Sequence, residues 1–288
     1  MSADLHCHTR LSDGSMGIED IINLAEKRGI NTISITDHDC MAGNVRAKII
    51  GERKGITVIP GVEISATDNE TGEEVNILCY LCDSPDRLEG LCHRNLLARK
   101  KAAQLMMLKV AQKYPITPNL VLSCAQGSTN VYISHIMAAL LESGMTTEIC
   151  GELYNELFSG ENKAFLVTPK FEDACKVIEA IHEAGGIAVL AHPGKYSSYD
   201  VLERLVKAGL DGIEVWCPDH NDRQVEYLTA FAKKNKLLTT GGSNFHGRYN
   251  RQCVTVGSYL TPDKQFSELS GYKSKIKRRQ KALESTDK

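Results

Sequence analysis

The chain has 288 residues, 42% of them hydrophobic, enough for one large α/β domain or a barrel that carries an insertion. Its formal net charge of −2 leaves no global basic field, which argues against long double-stranded nucleic acid and membrane surfaces as partners. Ten cysteines are scattered without the rhythm of a disulfide scaffold, no basic-then-apolar leader opens the chain, and no apolar run reaches 18 residues. A soluble cytoplasmic protein with reduced thiols is expected.

In chain order, Asp4 to Cys7 reads as a short strand that runs into His6-Cys7-His8. Alternate strand residues share a face, so His6 and His8 stand about 7 Å apart on the same side. With Asp13 five residues on, they could converge on a metal ion, or they could be half-buried polar residues on an edge strand. Ile18 to Arg28 has helical spacing with Glu19 and Asp20 in its first turn and Gly29 after its end. A second strand, Asn31 to Ile35, leads into Asp37 and His38, and a helix over Met41 to Lys54 follows. The third strand, Thr57 to Ile64, carries Glu63, and the turn Asn69–Gly72 precedes a fourth from Glu74 to Tyr80. Cys79-Tyr80-Leu81-Cys82 is a lone CxxC, which without a second pair fits strand-end packing better than a zinc or redox site.

The pattern then turns helical. Residues 1–82 form the first barrel portion, 83–165 an inserted helical subdomain, 166–262 the second barrel portion and 263–288 a basic tail. The insertion is expected to hold a long helix over Arg87 to Lys113, a break at Tyr114–Pro118, and helices over Asn130 to Glu142 and Thr146 to Phe158. Strand–helix alternation resumes with strands at Ile187–Ala191, Asp211–Trp216 and Leu237–Gly241, and helices at Glu172–Ala184, Tyr199–Lys207 and Asp222–Asn235. Seven strands, most followed by helices, argue for a parallel barrel-like sheet. Lys273 to Lys281 reads as a solvated basic helix rather than a phosphate-binding arm.

Placed on these strands, the polar residues gather at one end. His6, His8, Asp37, His38, Glu63, His192, Asn244 and His246 all fall at or just beyond strand C-termini, where the βα loops of a barrel build its active site. That distribution favours a metal centre. Glu214, at another strand end, is expected to make a structural hydrogen bond to a rim loop.

The motifs His6-Cys-His8, Ser12-Asp-Gly14, Thr36-Asp-His38, Pro60-Gly-Val-Glu-Ile-Ser65, Ala191-His-Pro193 and Gly242-Ser-Asn-Phe-His246 resemble those of the PHP (polymerase and histidinol phosphatase) superfamily. The resemblance spans residues 3–82 and 167–247, and is closest to stand-alone phosphoesterases with a helical insertion: 3′,5′-nucleoside bisphosphate phosphatases and 5′-3′ exoribonucleases. It implies a distorted seven-stranded (β/α) barrel with one to three divalent metals, manganese, iron or zinc. By position, His6, His8 and Glu63 would hold one metal, Glu63 would bridge to a second that also uses His192, and Asp13, His38 and His246 would hold the third. Asp37 would orient a ligand imidazole. His135, in Val131-Tyr-Ile-Ser-His-Ile136 of the insertion, would look into the site. Two positions depart from the pattern: Asn76 stands where the family has His, and Asn244 where it has Asp. A neutral amide oxygen is the weaker ligand, so fewer or looser metals are expected.

The function so implied is hydrolysis of a phosphate monoester, or a terminal phosphodiester, of a nucleotide or short oligonucleotide by metal-activated water. Cations for the phosphoryl charge could come from Lys195, Arg248 or Arg99; Lys195 could equally be a solvated surface charge, and for Arg248 and Arg99 that is the reading the sequence favours. A histidinol-phosphate-type phosphatase and a metal-depleted barrel that binds a phosphorylated ligand with little turnover are the alternatives. Oligomeric state is not legible.

Overall fold

The computed structural model describes residues 2–159, 163–195 and 199–286, the side chains of 275–286 excepted. Seven strands lie side by side in chain order: β1 (Ala3–Cys7), β2 (Thr32–Ile35), β3 (Thr57–Thr67), β4 (Glu74–Tyr80), β5 (Ile187–Leu190), β6 (Gly212–Trp216) and β7 (Leu238–Gly241). The circle is nearly closed by the chain just after β7, where His8 N–H donates to Phe245 C=O at 2.8 Å. These strands are buried on both faces and read as near-continuous apolar runs, as expected where helices cover the outside of a barrel.

The expected all-parallel sheet needs one correction. β4 runs antiparallel to both β3 and β5, because the Asn69–Gly72 turn makes β3 and β4 a hairpin instead of a crossover. The site end of the barrel is therefore built from the C-terminal ends of six strands and the N-terminal end of β4, which carries Asn76.

Helices α1 (Ile18–Lys27), α2 (Asn44–Arg53), α7 (Ala174–Glu183), α8 (Asp200–Lys207) and α9 (Asp222–Asn235) flank the sheet. α1 buries Ile18, Ile21, Ile22 and Ala25, the face its spacing dictates, and Gly29 ends it at φ 69°. Asp173 and Asn221 cap α7 and α9 by accepting backbone N–H bonds.

Between β4 and α7 stand α3 (Asp86–Lys113), α4 (Pro118–Cys124), α5 (Ile133–Glu142) and the single turn α6 (Glu152–Tyr154), followed by a π-helical turn over Asn155–Ser159. The continuous helix expected over Thr146 to Phe158 is thus confined to those two turns. Met106, Val110, Val121, Ile136, Leu140 and Phe158 form a core of their own above the barrel. Leu88, Leu91 and Cys92, in the first half of α3, pack instead with the barrel-side core of α7 and β4. This cap is fastened to the barrel by Ser128 and Thr129, whose hydroxyls donate to the carbonyls of Ser12 and Leu11 at 2.5 and 2.9 Å. At the other end of the barrel, α10 (Asp263–Thr286) packs Phe266 and Leu269 against Leu5, Leu78, Tyr80 and Leu238. The basic side chains of the tail beyond Ser274 lie outside the described residues.

Candidate metal centre

His6 and His8 leave β1 on one face, and Gly242 lets the chain after β7 press against them. A Cβ there would sit 2.4 Å from the His6 backbone nitrogen, so any side chain would displace the imidazole. His6 Nδ1 lies 2.9 Å from Glu214 Oε1, which fixes its proton on that nitrogen and turns Nε2 inward. There, His6 Nε2 is 3.0 Å from His8 Nε2 and 3.3 Å from Glu63 Oε2, and His8 Nε2 is 3.1 Å from the same carboxylate oxygen. His192 Nε2 meets the other Glu63 oxygen at 3.0 Å. His38 reaches Glu63 with Nδ1 at 3.4 Å and Asp13 with Nε2 at 3.7 Å. Asp13 completes the group, 3.3 Å from His246 Nε2 and 3.5 Å from His8 Nδ1.

Five imidazoles and two carboxylates thus share one small volume, and all of them but His192 fall into two sets of mutually close donor atoms, His6/His8/Glu63 and His8/Asp13/His38/His246. These residues fit divalent metal. Metal–nitrogen bonds of about 2.1 Å put neighbouring ligands about 3.0 Å apart in an octahedron and about 3.4 Å apart in a tetrahedron, the range of most of the separations above. His8 Nδ1 and His38 Nδ1 are buried without a hydrogen-bond partner, which is costly for ring nitrogens unless a cation takes their lone pairs.

The electrostatics agree. Burial works against charge on Glu63 and Asp13, yet the surrounding imidazoles hold both carboxyls well below their usual range: His38 and His6 for Glu63, His246 and His38 for Asp13. His38 itself is pushed down to about 3, mainly by burial, so it stays a neutral ligand.

The supporting shell differs from expectation at one residue. Asp37 orients no imidazole: its carboxylate accepts from Thr9 N–H and Oγ1, both at 2.7 Å, and from Ser12 Oγ at 2.6 Å, and so pins the loop that carries Asp13. The imidazole-orienting role belongs to Glu214, fully buried, which also accepts the His192 backbone N–H at 2.9 Å. Its signal was a carboxylate within the apolar run Gly-Ile-Glu-Val-Trp. A burial cost of that kind is met only by fixed donors.

His192 and Asn244 both take left-handed backbone conformations, φ 30° and 46°. The Asn244 carbonyl accepts His246 Nδ1–H at 2.8 Å and thereby turns His246 Nε2 towards Asp13, while Asn244 Oδ1 is buried with no hydrogen-bond partner. Asn76 lies opposite Ser65 in the β3–β4 register, two pairs along from Glu63–Leu78, and so on the face that carries Glu63.

Among the cationic candidates, Arg99 is no surface charge. Its guanidinium is buried, donates to Ser65 Oγ at 2.5 Å, lies 3.5 Å from Asp39 Oδ2 and sits between the rings of Tyr132 and Phe171. Burial opposes its charge, but Tyr132, Glu74 and Asp39 keep it protonated. Asn95, one turn earlier on α3, donates to Asp39 Oδ1 at 2.7 Å and to the Ser65 carbonyl at 2.6 Å. Asp39, Asn95 and Tyr132 were not singled out in the sequence, although Asn95 and Arg99 share a helix face at i, i+4. His135 is buried in the cap; its Nδ1 accepts Tyr132 N–H at 3.1 Å, which leaves the ring proton on Nε2, and Asp13 and Arg248 are its electrostatic neighbours. Lys195 and Arg248 are solvent-exposed, Arg248 against the Tyr249 ring.

A barrel whose upper rim joins imidazoles and carboxylates into one centre, roofed by a helix that supplies a buried arginine, has the make-up of a metal-dependent phosphoesterase. The chain belongs to the PHP-domain family, whose PHP domain matches residues 4–187. It is 36% identical over 254 residues to a phosphoribosyl 1,2-cyclic phosphate 1,2-diphosphodiesterase of Eggerthella lenta, covering 87% of this chain and 96% of that one. It is 32% identical to the 5'-3' exoribonuclease Rnm of Escherichia coli K12, covering 84% of each. Among solved structures it superposes with a TM-score of 0.84 and 29% identity on one from Bifidobacterium adolescentis assigned to the metal-dependent phosphoesterases, covering 93% and 94% of the two chains. No described helix is long and apolar enough to cross a membrane.

Proposed function

We propose that this protein hydrolyses a phosphate ester on a small ribose-containing substrate, a nucleotide, a short oligonucleotide end or a phosphoribosyl compound. The observation that carries this reading is the continuous His/carboxylate centre beside the one buried guanidinium that α3 contributes. His6, His8 and Glu63 would hold one ion, with His192 at the second oxygen of Glu63, and Asp13, His38 and His246 would hold another. Manganese, iron and zinc all accept this ligand set. Bound there, divalent metal supplies an activated water at neutral pH and neutralises phosphoryl charge.

The chain's own residues do the rest. Arg99 uses one NH group on Ser65 and Asp39 and keeps further donors of its planar fork for a phosphoryl oxygen. Glu214 holds the proton of His6 on Nδ1, so that Nε2 stays available inward. His135, pushed down to about 4 by burial, is neutral at pH 7 and carries Nε2–H as a donor for an oxygen of the substrate.

Phosphate release in the presence of Mn²⁺ tests the reading on 3′,5′-bisphosphonucleotides, 5′-phosphorylated short oligoribonucleotides and a phosphoribosyl cyclic phosphate, with histidinol phosphate alongside. Turnover of one of the first three is expected, and turnover of histidinol phosphate alone would overturn the assignment. The amides at Asn76 and Asn244 favour a second reading, a barrel that binds such ligands with little turnover. Calorimetric binding without phosphate release would select it.

A further inference from the structure

The CxxC segment lies at the end of the barrel opposite the metal centre and has no part in the chemistry above. Cys79 is the penultimate residue of β4, buried and paired in register with Val62 and Ala188. Leu81 then takes a left-handed conformation, φ 53°, and reverses the chain. That reversal returns Cys82 to the same wall as Cys79, and both line one groove of about 850 Å³ between α2 and α3, which Cys40 and Cys92 also border. Cys82 is partly exposed, donates to Ala184 C=O at 3.3 Å, and no described cysteine is in a disulfide. Lys273 of α10 reaches this corner and pairs with Asp83, the residue after Cys82, at 2.7 Å.

We propose that Cys82 is a site of reversible oxidation by hydroperoxides and that Cys79 resolves the oxidised form into an intrachain disulfide. The turn supplies the geometry: a bridge across CxxC needs only the two residues that the left-handed Leu81 already folds back. Chemistry supplies the order. The hydrogen bond from Cys79 lowers the Cys82 thiol to about 7; burial opposes this, and Lys273 assists where Asp83 resists. Cys79 is held the other way, well above its usual range, by the same hydrogen bond and by burial. The Cys82 thiolate attacks the terminal oxygen of the hydroperoxide, and its O–O bond breaks to give Cys82–SOH and hydroxide, or alkoxide from an organic hydroperoxide. Cys79 sulfur then attacks the Cys82 sulfur and expels the hydroxyl, which leaves with the Cys79 proton as water. Cysteine is oxidised, peroxide is reduced, and a dithiol reverses the change.

The test is intact-mass and peptide analysis of the full-length protein treated with hydrogen peroxide and then blocked with iodoacetamide. A peptide in which Cys79 and Cys82 are joined, restored by dithiothreitol, is the expected result. Cys82→Ser should leave Cys79 reduced, and Cys253→Ser, at an exposed lone thiol, should leave the bridge intact. Oxidation confined to Cys253, a bridge from Cys82 to Cys92 or Cys40, or a Cys79–Cys82 dithiol unchanged when Cys253 is fully oxidised would each overturn the proposal.

Discussion

Replacing Glu214 by Gln isolates what one buried carboxylate does for the centre. Its two oxygens accept two different donors, His6 Nδ1–H and the His192 backbone N–H, each at 2.9 Å. Glutamine keeps the shape but offers one acceptor and one NH₂. If the amide oxygen faces His6, its NH₂ meets the His192 N–H donor to donor in a site without water access. If it faces His192, His6 must move its proton to Nε2, the nitrogen aimed at His8 and Glu63, and that nitrogen can then no longer bind metal. One charge-assisted buried hydrogen bond is lost in either case, a cost of about 1.5–3 kcal/mol. At about 1.4 kcal/mol per decade this corresponds to roughly 10- to 100-fold weaker metal binding. Calorimetric titration of metal-free protein with Mn²⁺ reads the affinity, and phosphate release against Mn²⁺ concentration shows whether saturation restores turnover. Unchanged affinity, or a loss that excess Mn²⁺ fails to recover in a folded variant, would refute the orienting role.

Four further outcomes are expected. His135 sits at about 4 when folded, below the model-peptide value of 6.5, so the unfolded chain binds more protons between those limits. Its neutral burial therefore stabilises fully above pH 6.5 and loses about 3 kcal/mol as pH falls through 4. His135→Gln, which keeps an acceptor for Tyr132 N–H, should remove that part of the acid limb in urea titrations at pH 7 and pH 5. Arg99→Lys loses the fork and its ring stacking and should raise KM for the phosphorylated substrate about 10- to 100-fold, read by steady-state kinetics. Asn244→Asp restores a carboxylate beside His246 and should increase the metal retained per chain in elemental analysis after gel filtration; no increase would show that residue 244 holds no ion. Chelation should abolish turnover and lower Tm, with about 2.7 kcal/mol lost relative to metal at 100 times its Kd.

Much of this site could be read from the sequence because a barrel converts strand order into proximity. Once His6, Glu63, His192 and His246 lay on strand ends, the fold left them one place to meet. The antiparallel course of β4 was less legible: Glu-Val-Asn-Ile-Leu-Cys-Tyr is equally apolar in either direction, and only the short Asn69–Gly72 turn distinguishes a hairpin from a crossover. Glu214 makes the rim-loop bond expected of it and in addition takes the orienting role expected of Asp37, because second-layer partnerships depend on angles within loops, which spacing does not encode. Arg99 was misplaced for a related reason. In the sequence it opens a run of three basic residues, Arg99-Lys100-Lys101, and only the tertiary neighbours Asp39, Ser65 and Tyr132 make one of the three an interior residue.

α3 is an unbroken helix of 28 residues, about 42 Å long, with one half seated in the barrel core and the other in the cap. Asn95 and Arg99 lie near its middle, at the joint. A roof mounted on such a beam cannot swing open without bending it, and no glycine or proline interrupts the turns between Leu91 and Lys113 to allow that. A ligand bound for the centre is accordingly expected to pass beside a cap that stays in place, not under one that lifts.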